Sequence, residues 1–328
     1  MSRRSNNKRT KVDSKIVVGI LATIVILVLI AVGANPETIK TISEITGINI
    51  NLEQNIAQNN TISSENTTNQ ETTNNIIEGE QLIVDYIDVG QADSILLRTE
   101  DKAMLIDAGN NADGEDVVKY IKDKGIDTLE YVIGTHPHED HIGGLDDVIN
   151  ELNIGTVYMP EITTNTKTYE DVLTAIENKQ LSINVPKKGD KFYLGKAECE
   201  IMTDSILDKN NLNLASIITK ITFGNTTFLF TGDAETENEE TINWPKIDVL
   251  KVGHHGSNTS TSDQFLNQTQ PKIAVISVGK DNDYGHPNEE TLQKLENVGA
   301  KIYRTDESGT IEIIANGNEI SINASKNN

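Results

Sequence analysis

Apolar residues are spread unevenly along the 328-residue chain. Ile16 to Ala34 is 19 residues without a charge, rich in Ile, Val and Leu, and it follows Arg3, Arg4, Lys8, Arg9, Lys11 and Lys15 with one Asp13 among them. That length predicts a membrane-crossing helix, with the basic tail (residues 1–15) cytoplasmic and the rest outside. A cleaved signal segment is the alternative, because Val32-Gly33-Ala34 sets small residues at a suitable spacing for cleavage near Ala34. Residues 35–80 are mostly Asn, Thr, Gln, Glu and Ser with isolated Ile. Such a tract cannot bury enough surface to order itself and reads as a disordered linker. The expected placement is a single-pass protein of the cell membrane with an extracytoplasmic C-terminal domain, or a secreted protein after cleavage.

Residues 81–328 carry the globular pattern. Short apolar runs at Leu82–Gly90, Gln91–Arg98 and Ala103–Gly109 predict strands before any helix, which suits a meandering sheet. Val117, Val118 and Ile121 then recur at helical spacing within Glu115–Lys124, and Gly125 stops the run. Further helices are predicted over Leu145–Leu152, Tyr169–Asn178 and Glu289–Val298. Strands are predicted at Leu129–Ile133, Thr156–Met159, Lys191–Leu194, Ala197–Thr203, Ile247–Val252 and Ile273–Val278, with closing strands to about Asn323. Ala215–Phe223 and Thr226–Thr231, joined by Gly224-Asn225, predict a hairpin.

Charge changes the picture in one respect. Residues 1–79 hold seven basic and seven acidic residues, so the net charge of −22 belongs wholly to the later part. Acidity of this kind opposes loose electrostatic binding of nucleic acid, which draws its affinity from Lys and Arg on phosphate. A single cysteine, Cys199, excludes an intramolecular disulfide framework and a cysteine-rich zinc module.

The candidate chemistry is concentrated in Thr135-His136-Pro137-His138-Glu139-Asp140-His141-Ile142-Gly143-Gly144, where three imidazoles and two carboxylates occupy six positions at the end of a predicted strand. His136 and His138 are two apart, so an extended turn lets both face one point. Asp140 and His141 follow after the chain has turned and can face a second point nearby. Neutral imidazole with carboxylate suits Zn²⁺ and other borderline metals such as Mn²⁺ or Fe²⁺.

This loop resembles the H-x-H-x-D-H motif of the metallo-β-lactamase superfamily, whose members bind two metals in a four-layer αββα sandwich of α/β (α+β) class. Val89-Gly90-Gln91-Ala92-Asp93-Ser94, Thr231-Gly232-Asp233, His254-His255-Gly256-Ser257, Tyr284-Gly285-His286-Pro287 and Arg304-Thr305-Asp306-Glu307-Ser308-Gly309-Thr310 occur in this order. Together they look like the hydrolase domain of ComEC-type competence proteins and their stand-alone relatives, over roughly residues 81–324. The chain departs from that pattern in carrying Ala92 where glycine is usual. It also lacks the third motif's lone histidine, and Asn213-Leu214-Ala215-Ser216 stands at that place. The first metal is then expected to have fewer protein ligands. The long multi-span channel of the competence proteins is missing, so this chain is not expected to form an uptake pore.

The resemblance implies a ligand set of His136 and His138 on one ion, and Asp140, His141 and His255 on the other, with Asp233 between them. Asp107, Asn213 and Ser216 are expected to support the ligands by hydrogen bonding. Neighbouring side chains at an extended strand end diverge, so one of His254 and His255 binds metal and the other faces substrate. The expected arrangement makes His255 the ligand and gives His254 the role of stabilising developing negative charge or protonating the leaving group. His286, by the same resemblance, lines the substrate site; a capped surface histidine is the alternative. Asp140, His254 and His286 are thus the catalytic candidates. Two divalent ions, Zn²⁺ or Mn²⁺, would activate a bridging hydroxide. The expected enzyme is an exported, membrane-tethered phosphodiesterase or nuclease acting on nucleic acid or a phosphodiester-bearing surface polymer, and no obligate protein partner is expected. The competing readings are a β-lactamase or other carboxyl-ester or amide hydrolase, and a non-catalytic surface binding module. Superfamily β-lactamases commonly use cysteine on the second metal, whereas Cys199 lies inside a predicted strand.

Overall fold

In the computed structural model, which describes residues 79–326, alternation along each strand sorts side chains onto two faces of two sheets. Strands β1 (Leu82–Tyr86), β2 (Ser94–Arg98) and β3 (Ala103–Ala108) form an antiparallel meander. After helix α1 (Gly114–Asp123), strand β4 (Thr128–Ile133) joins β3 in parallel. Helices α2 (Glu139–Ile142) and α3 (Leu145–Glu151) lead to β5 (Asn153–Tyr158), and α4 (Lys167–Asn178) leads to β6 (Ile183–Asn184), both strands again parallel additions.

The chain then crosses to a second sheet. Strands β7 (Lys191–Leu194), β8 (Ala197–Ile201), β9 (Thr219–Phe223) and β10 (Thr226–Phe230) run antiparallel. Past α5 (Thr236–Glu239), strands β11 (Val249–Lys251), β12 (Ile273–Ile276) and β13 (Lys301–Arg304) continue in parallel, with α6 (Asp263–Thr269) and α7 (Glu289–Asn297) as crossovers. After the short α8 (Thr305–Ser308), β14 (Ile311–Ala315) and β15 (Ile320–Ala324) return to the first sheet, where β14 pairs with β1. The orders are β15-β14-β1-β2-β3-β4-β5-β6 and β13-β12-β11-β10-β9-β8-β7.

Period-two packing makes four layers. Ile95 and Leu97 of β2 meet Ile221, Phe228 and Phe230 of the second sheet in the central core. Leu96, between them, faces outward with Leu105 onto Val117, Val148 and Val172 of α1, α3 and α4. On the far side, Leu229, Leu250 and Ile276 face Phe265, Leu266 and Leu295 of α6 and α7. Residues buried on both faces explain why β4 and β11 read as short apolar runs rather than alternating ones.

Several strands are shorter than the apolar runs that predict them. The run to Gly90 leaves the ladder after Tyr86, and the hairpin's first strand begins at Thr219, because Leu212–Ala215 is a 3-10 turn. The segments after these released residues bond to the loop after β4, Asp93 N–H donating to the Asp140 carbonyl and Ile217 N–H to the Thr135 carbonyl. Among the described residues no helix is long and apolar enough to cross a membrane. The expected tail, spanning segment and all but the last residues of the linker lie outside the described residues.

Candidate metal centre

The loop after β4 is compact because two glycines let it settle onto the end of β3. A Cβ on Gly143 would lie 2.2 Å from the backbone carbon of Asn110, and one on Gly144 would lie 2.5 Å from the Ala108 carbonyl oxygen. His138 caps α2, so Asp140 and His141 sit on a helical turn instead of an extended one. His136 Nε2 and His138 Nδ1 lie 3.0 Å apart, facing one point.

Each inward-facing imidazole is held by its other nitrogen. His141 Nδ1 donates to Asp107 Oδ2 at 2.8 Å, leaving Nε2 turned inward. His255 Nδ1 donates to the Ser277 carbonyl at 2.9 Å, with the same result. His136 Nδ1 faces Thr135 Oγ1 at 3.2 Å and Ser216 Oγ at 3.4 Å. Asp107 anchors the arrangement: it also accepts from the Thr135 N–H at 2.8 Å and the Thr135 hydroxyl at 2.7 Å. Its backbone takes a left-handed φ of 57°, which aims its carboxylate under the histidine loop.

Asp233 arrives from the end of β10. Its Oδ1 is 3.2 Å from His141 Nε2; its Oδ2 is 3.6 Å from His255 Nε2 and 3.9 Å from His136 Nε2. Asp140 Oδ2 is 3.3 Å from His255 Nε2. Donor atoms of Asp140, His141, Asp233 and His255 all lie within 4.8 Å of one another. His141 Nε2, Asp233 Oδ1 and His255 Nε2 are buried without any hydrogen-bond partner. Buried polar atoms are nearly always satisfied, so three orphaned atoms converging with the Asp140 carboxylate as a fourth donor fit a divalent cation. The mix of imidazole and carboxylate has the right chemistry for one. His136 and His138 form a second, poorer pair.

Electrostatics reflect the crowding. Burial pushes His136 well below its usual pKa, and the charge of His141 adds to that. Burial acts the same way on His141, yet Asp233, Asp107 and Asp140 together carry it well above its usual value. The Asp140 carboxyl is held far below the ordinary carboxylate range, against burial, by the charges of His141 and of the nearby His255.

His254 and His255 do not sit on an extended strand end. Strand β11 stops at Lys251, and both histidines adopt left-handed backbone (φ 50° and 52°) between Gly253 and Gly256. The two side chains still part: His255 is buried, and His254 turns to the cleft. His254 Nδ1 contacts Thr259 Oγ1 at 3.0 Å, and its Nε2 lies 3.4 Å from Asn213 Nδ2 and 3.7 Å from Asp233 Oδ2. Ser216 Oγ accepts from the Asp233 N–H at 3.1 Å. His286 joins His138, Asp140, Asp233, His254 and Tyr284 in lining a cleft of about 290 Å³. Cys199 is elsewhere, buried between the sheets, where burial pushes its thiol up to about 12.

Sequence reasoning missed several residues here. In the sequence Asp93 belongs to a motif that gives it no role, and Lys251 is one position of a predicted buried strand; the two form a buried ion pair of 2.7 Å. A lysine inside an otherwise apolar strand was the available signal. Glu235, which accepts from Asn211, Asn213 and Thr259, was also unmarked.

The sequence profile of the metallo-beta-lactamase superfamily matches residues 87–280. ComE operon protein 3 of Bacillus subtilis is 33% identical over 257 residues, covering 72% of this chain and 33% of that one. Recombination protein 2 of Haemophilus influenzae is 29% identical over 237 residues, covering 70% and 28%. The chain thus spans about a third of the length of these relatives. Among solved structures, the metallo-beta-lactamase fold protein YhfI of Bacillus subtilis aligns at a TM-score of 0.46 with 13% identity, covering 69% of this chain and 95% of that one.

Proposed function

The chain belongs to the metallo-β-lactamase superfamily, and from that membership we propose that it is a binuclear metal-dependent hydrolase of phosphoester bonds. The observation that carries the proposal is the convergence of Asp140, His141, Asp233 and His255, of which His141 Nε2, Asp233 Oδ1 and His255 Nε2 have no hydrogen-bond partner. These four residues would hold the tighter ion, and His136 with His138 would hold a looser one, Asp233 Oδ2 lying 3.9 Å from His136 Nε2. Divalent ions, Zn²⁺ or Mn²⁺, supply Lewis acidity, making water nucleophilic near neutral pH and offsetting charge on a phosphoryl group.

The protein's own groups set the rest. Asp107, Thr135 and Ser216 fix the ring orientations of His141 and His136. His286 lines the cleft and is kept neutral by burial and by the nearby His254 and His255, with a pKa of about 4. It can therefore donate a hydrogen bond to substrate without adding a charge. The absence of a thiol from the centre speaks against β-lactam hydrolysis of the cysteine-dependent kind, since Cys199 is buried between the sheets.

A relative named for recombination supports nucleic acid as the phosphodiester. The acidity of the chain confines such contact to the cleft and leaves a phosphodiester-bearing surface polymer as the second substrate to test. The uncharged run 16–34 with its basic flank supports tethering to a membrane with the hydrolase outside. The full chain, purified in detergent and loaded with Zn²⁺ or Mn²⁺, should cleave single-stranded DNA, RNA or phosphocholine esters, and Asp233→Ala should not. Equal rates for the two proteins on every substrate would end the proposal.

A further inference from the structure

Among the described residues Lys251 is the only lysine or arginine that is buried, and its side chain is wholly inaccessible. It occupies β11, paired with Phe230 on one side and Val275 on the other, in register with a ladder of apolar residues. An ammonium in such a place is costly unless paired and hydrogen-bonded. Lys251 Nζ is 2.7 Å from Asp93 Oδ2 and donates to the Val252 carbonyl at 2.9 Å.

Asp93 explains the placement. It precedes β2 in the first sheet, so the ion pair joins the two sheets behind the candidate centre. Its backbone N–H donates to the Asp140 carbonyl at 3.0 Å, and its own carbonyl accepts from Gly109 N at 2.8 Å. Its Oδ1 lies 3.5 Å from His255 Nδ1, and its Oδ2 lies 3.9 Å from His141 Nδ1. One carboxylate therefore lies close behind both imidazoles, whose Nδ1 protons go to Asp107 and to the Ser277 carbonyl, and Lys251 is the nearest side-chain partner of that carboxylate. Asp93, Asp107 and His141 together resemble a cation cluster, and the ammonium already occupies the side facing Asp93.

We propose that Lys251 is a positioning residue for the metal centre, fixing His141 and His255 through Asp93 so that both present Nε2 to the ion. This rests on the reading of those histidines as ligands. Two effects of removing the ammonium have opposite signs. Loss of a positive charge close to a cation site strengthens cation binding, whereas loss of ligand orientation weakens it, by roughly 10–100-fold in sites of this kind.

The experiment uses the full chain in detergent, stripped by chelator and titrated with Zn²⁺ against a chromophoric competitor. Wild type is compared with Lys251→Met, Lys251→Gln and His255→Ala, and the thermal unfolding of each stripped protein is recorded. Lys251→Met should weaken the tightest equivalent on the order of 10–100-fold, and Lys251→Gln, which keeps a donor towards Asp93, should recover part of that loss. Affinity that is unchanged or tighter in Lys251→Met, with or without a lower unfolding temperature, overturns the proposal. If Lys251→Met does not fold, Lys251→Gln decides, and wild-type affinity in it overturns the proposal. Unchanged binding in His255→Ala would instead show that the metal reading itself is wrong.

Discussion

His141 gives its Nδ1 proton to Asp107 Oδ2 at 2.8 Å, and that contact decides which ring nitrogen faces the centre. Asp107 also accepts both hydrogen bonds of Thr135, so one carboxylate ties the histidine loop to the end of β3. Asp107→Ala should therefore weaken the tight metal equivalent by about 10–100-fold. It should also cost about 1–3 kcal/mol of stability, since the Thr135 N–H loses its buried partner. Competition titration measures the first effect and denaturant unfolding of the stripped protein the second. Wild-type metal affinity in this variant would remove Asp107 from its supporting role.

The glycines of the loop make a separate prediction. Gly143 has ordinary helical φ (−56°), so its need is for space, with Asn110 backbone filling the position of a Cβ. Gly143→Ala should cost about 1–3 kcal/mol or more through overpacking, and should lower metal retention because the loop is displaced. Gly125→Ala is the contrast. Nothing lies within 4 Å of its Cβ position, only its φ of +77° resists the change, and the cost should be about 1–2 kcal/mol with metal binding unaffected. Urea unfolding with metal content measured alongside tests both.

Much of this arrangement was legible in the chain because its donors are placed by strand ends. Apolar runs of four to six residues located β3, β4, β10 and β12 closely enough to set Asp107, the histidine loop and Asp233 at the ends of buried elements. Backbone that departs from regular structure was not legible. Nothing in His254-His255 announces two consecutive left-handed residues, a conformation that persists only because the neighbouring glycines and the ends of β10 and β11 determine it. The turn Glu139–Ile142 was likewise hidden, because a histidine-rich segment has no apolar period to read. Lys251 was missed for a different reason: pairing across two sheets is a relation between residues 158 positions apart in sequence, and periodicity carries no trace of it.

The unequal donor sets predict unequal metal binding. Four donors converge at Asp140, His141, Asp233 and His255, while His136 and His138 bring only two imidazoles, and Ser216 Oγ is engaged with the Asp233 N–H. Titration of the stripped protein should give one tight equivalent and a second at least about 10-fold weaker. His138→Ala should remove the weak equivalent and keep the tight one, and His255→Ala should do the reverse. Equal affinities, or loss of both equivalents in His138→Ala, would contradict this division.

His286 supplies a prediction about pH. Its ring meets His254 edge-on with centroids 5.6 Å apart and stacks on Tyr284 at 5.8 Å. Burial, reinforced by the charges of His254 and His255, lowers its pKa from 6.5 to about 4. In the unfolded chain the imidazole protonates near pH 6.5, so between that value and about pH 4 the unfolded state binds the extra proton. The sign follows: this residue's contribution favours folding above about pH 6.5, declines as the pH falls through the window, and is gone below about pH 4. Because the side chain is half-buried, solvent screening reduces the effect to on the order of 1 kcal/mol. His286→Gln removes the titration, so its stability relative to wild type should improve by about that amount as chelator-stripped protein is taken from about pH 7 to about pH 4. Parallel stability curves for the two proteins, measured by urea unfolding across that range, would show that His286 keeps an ordinary pKa and is free to charge in the cleft.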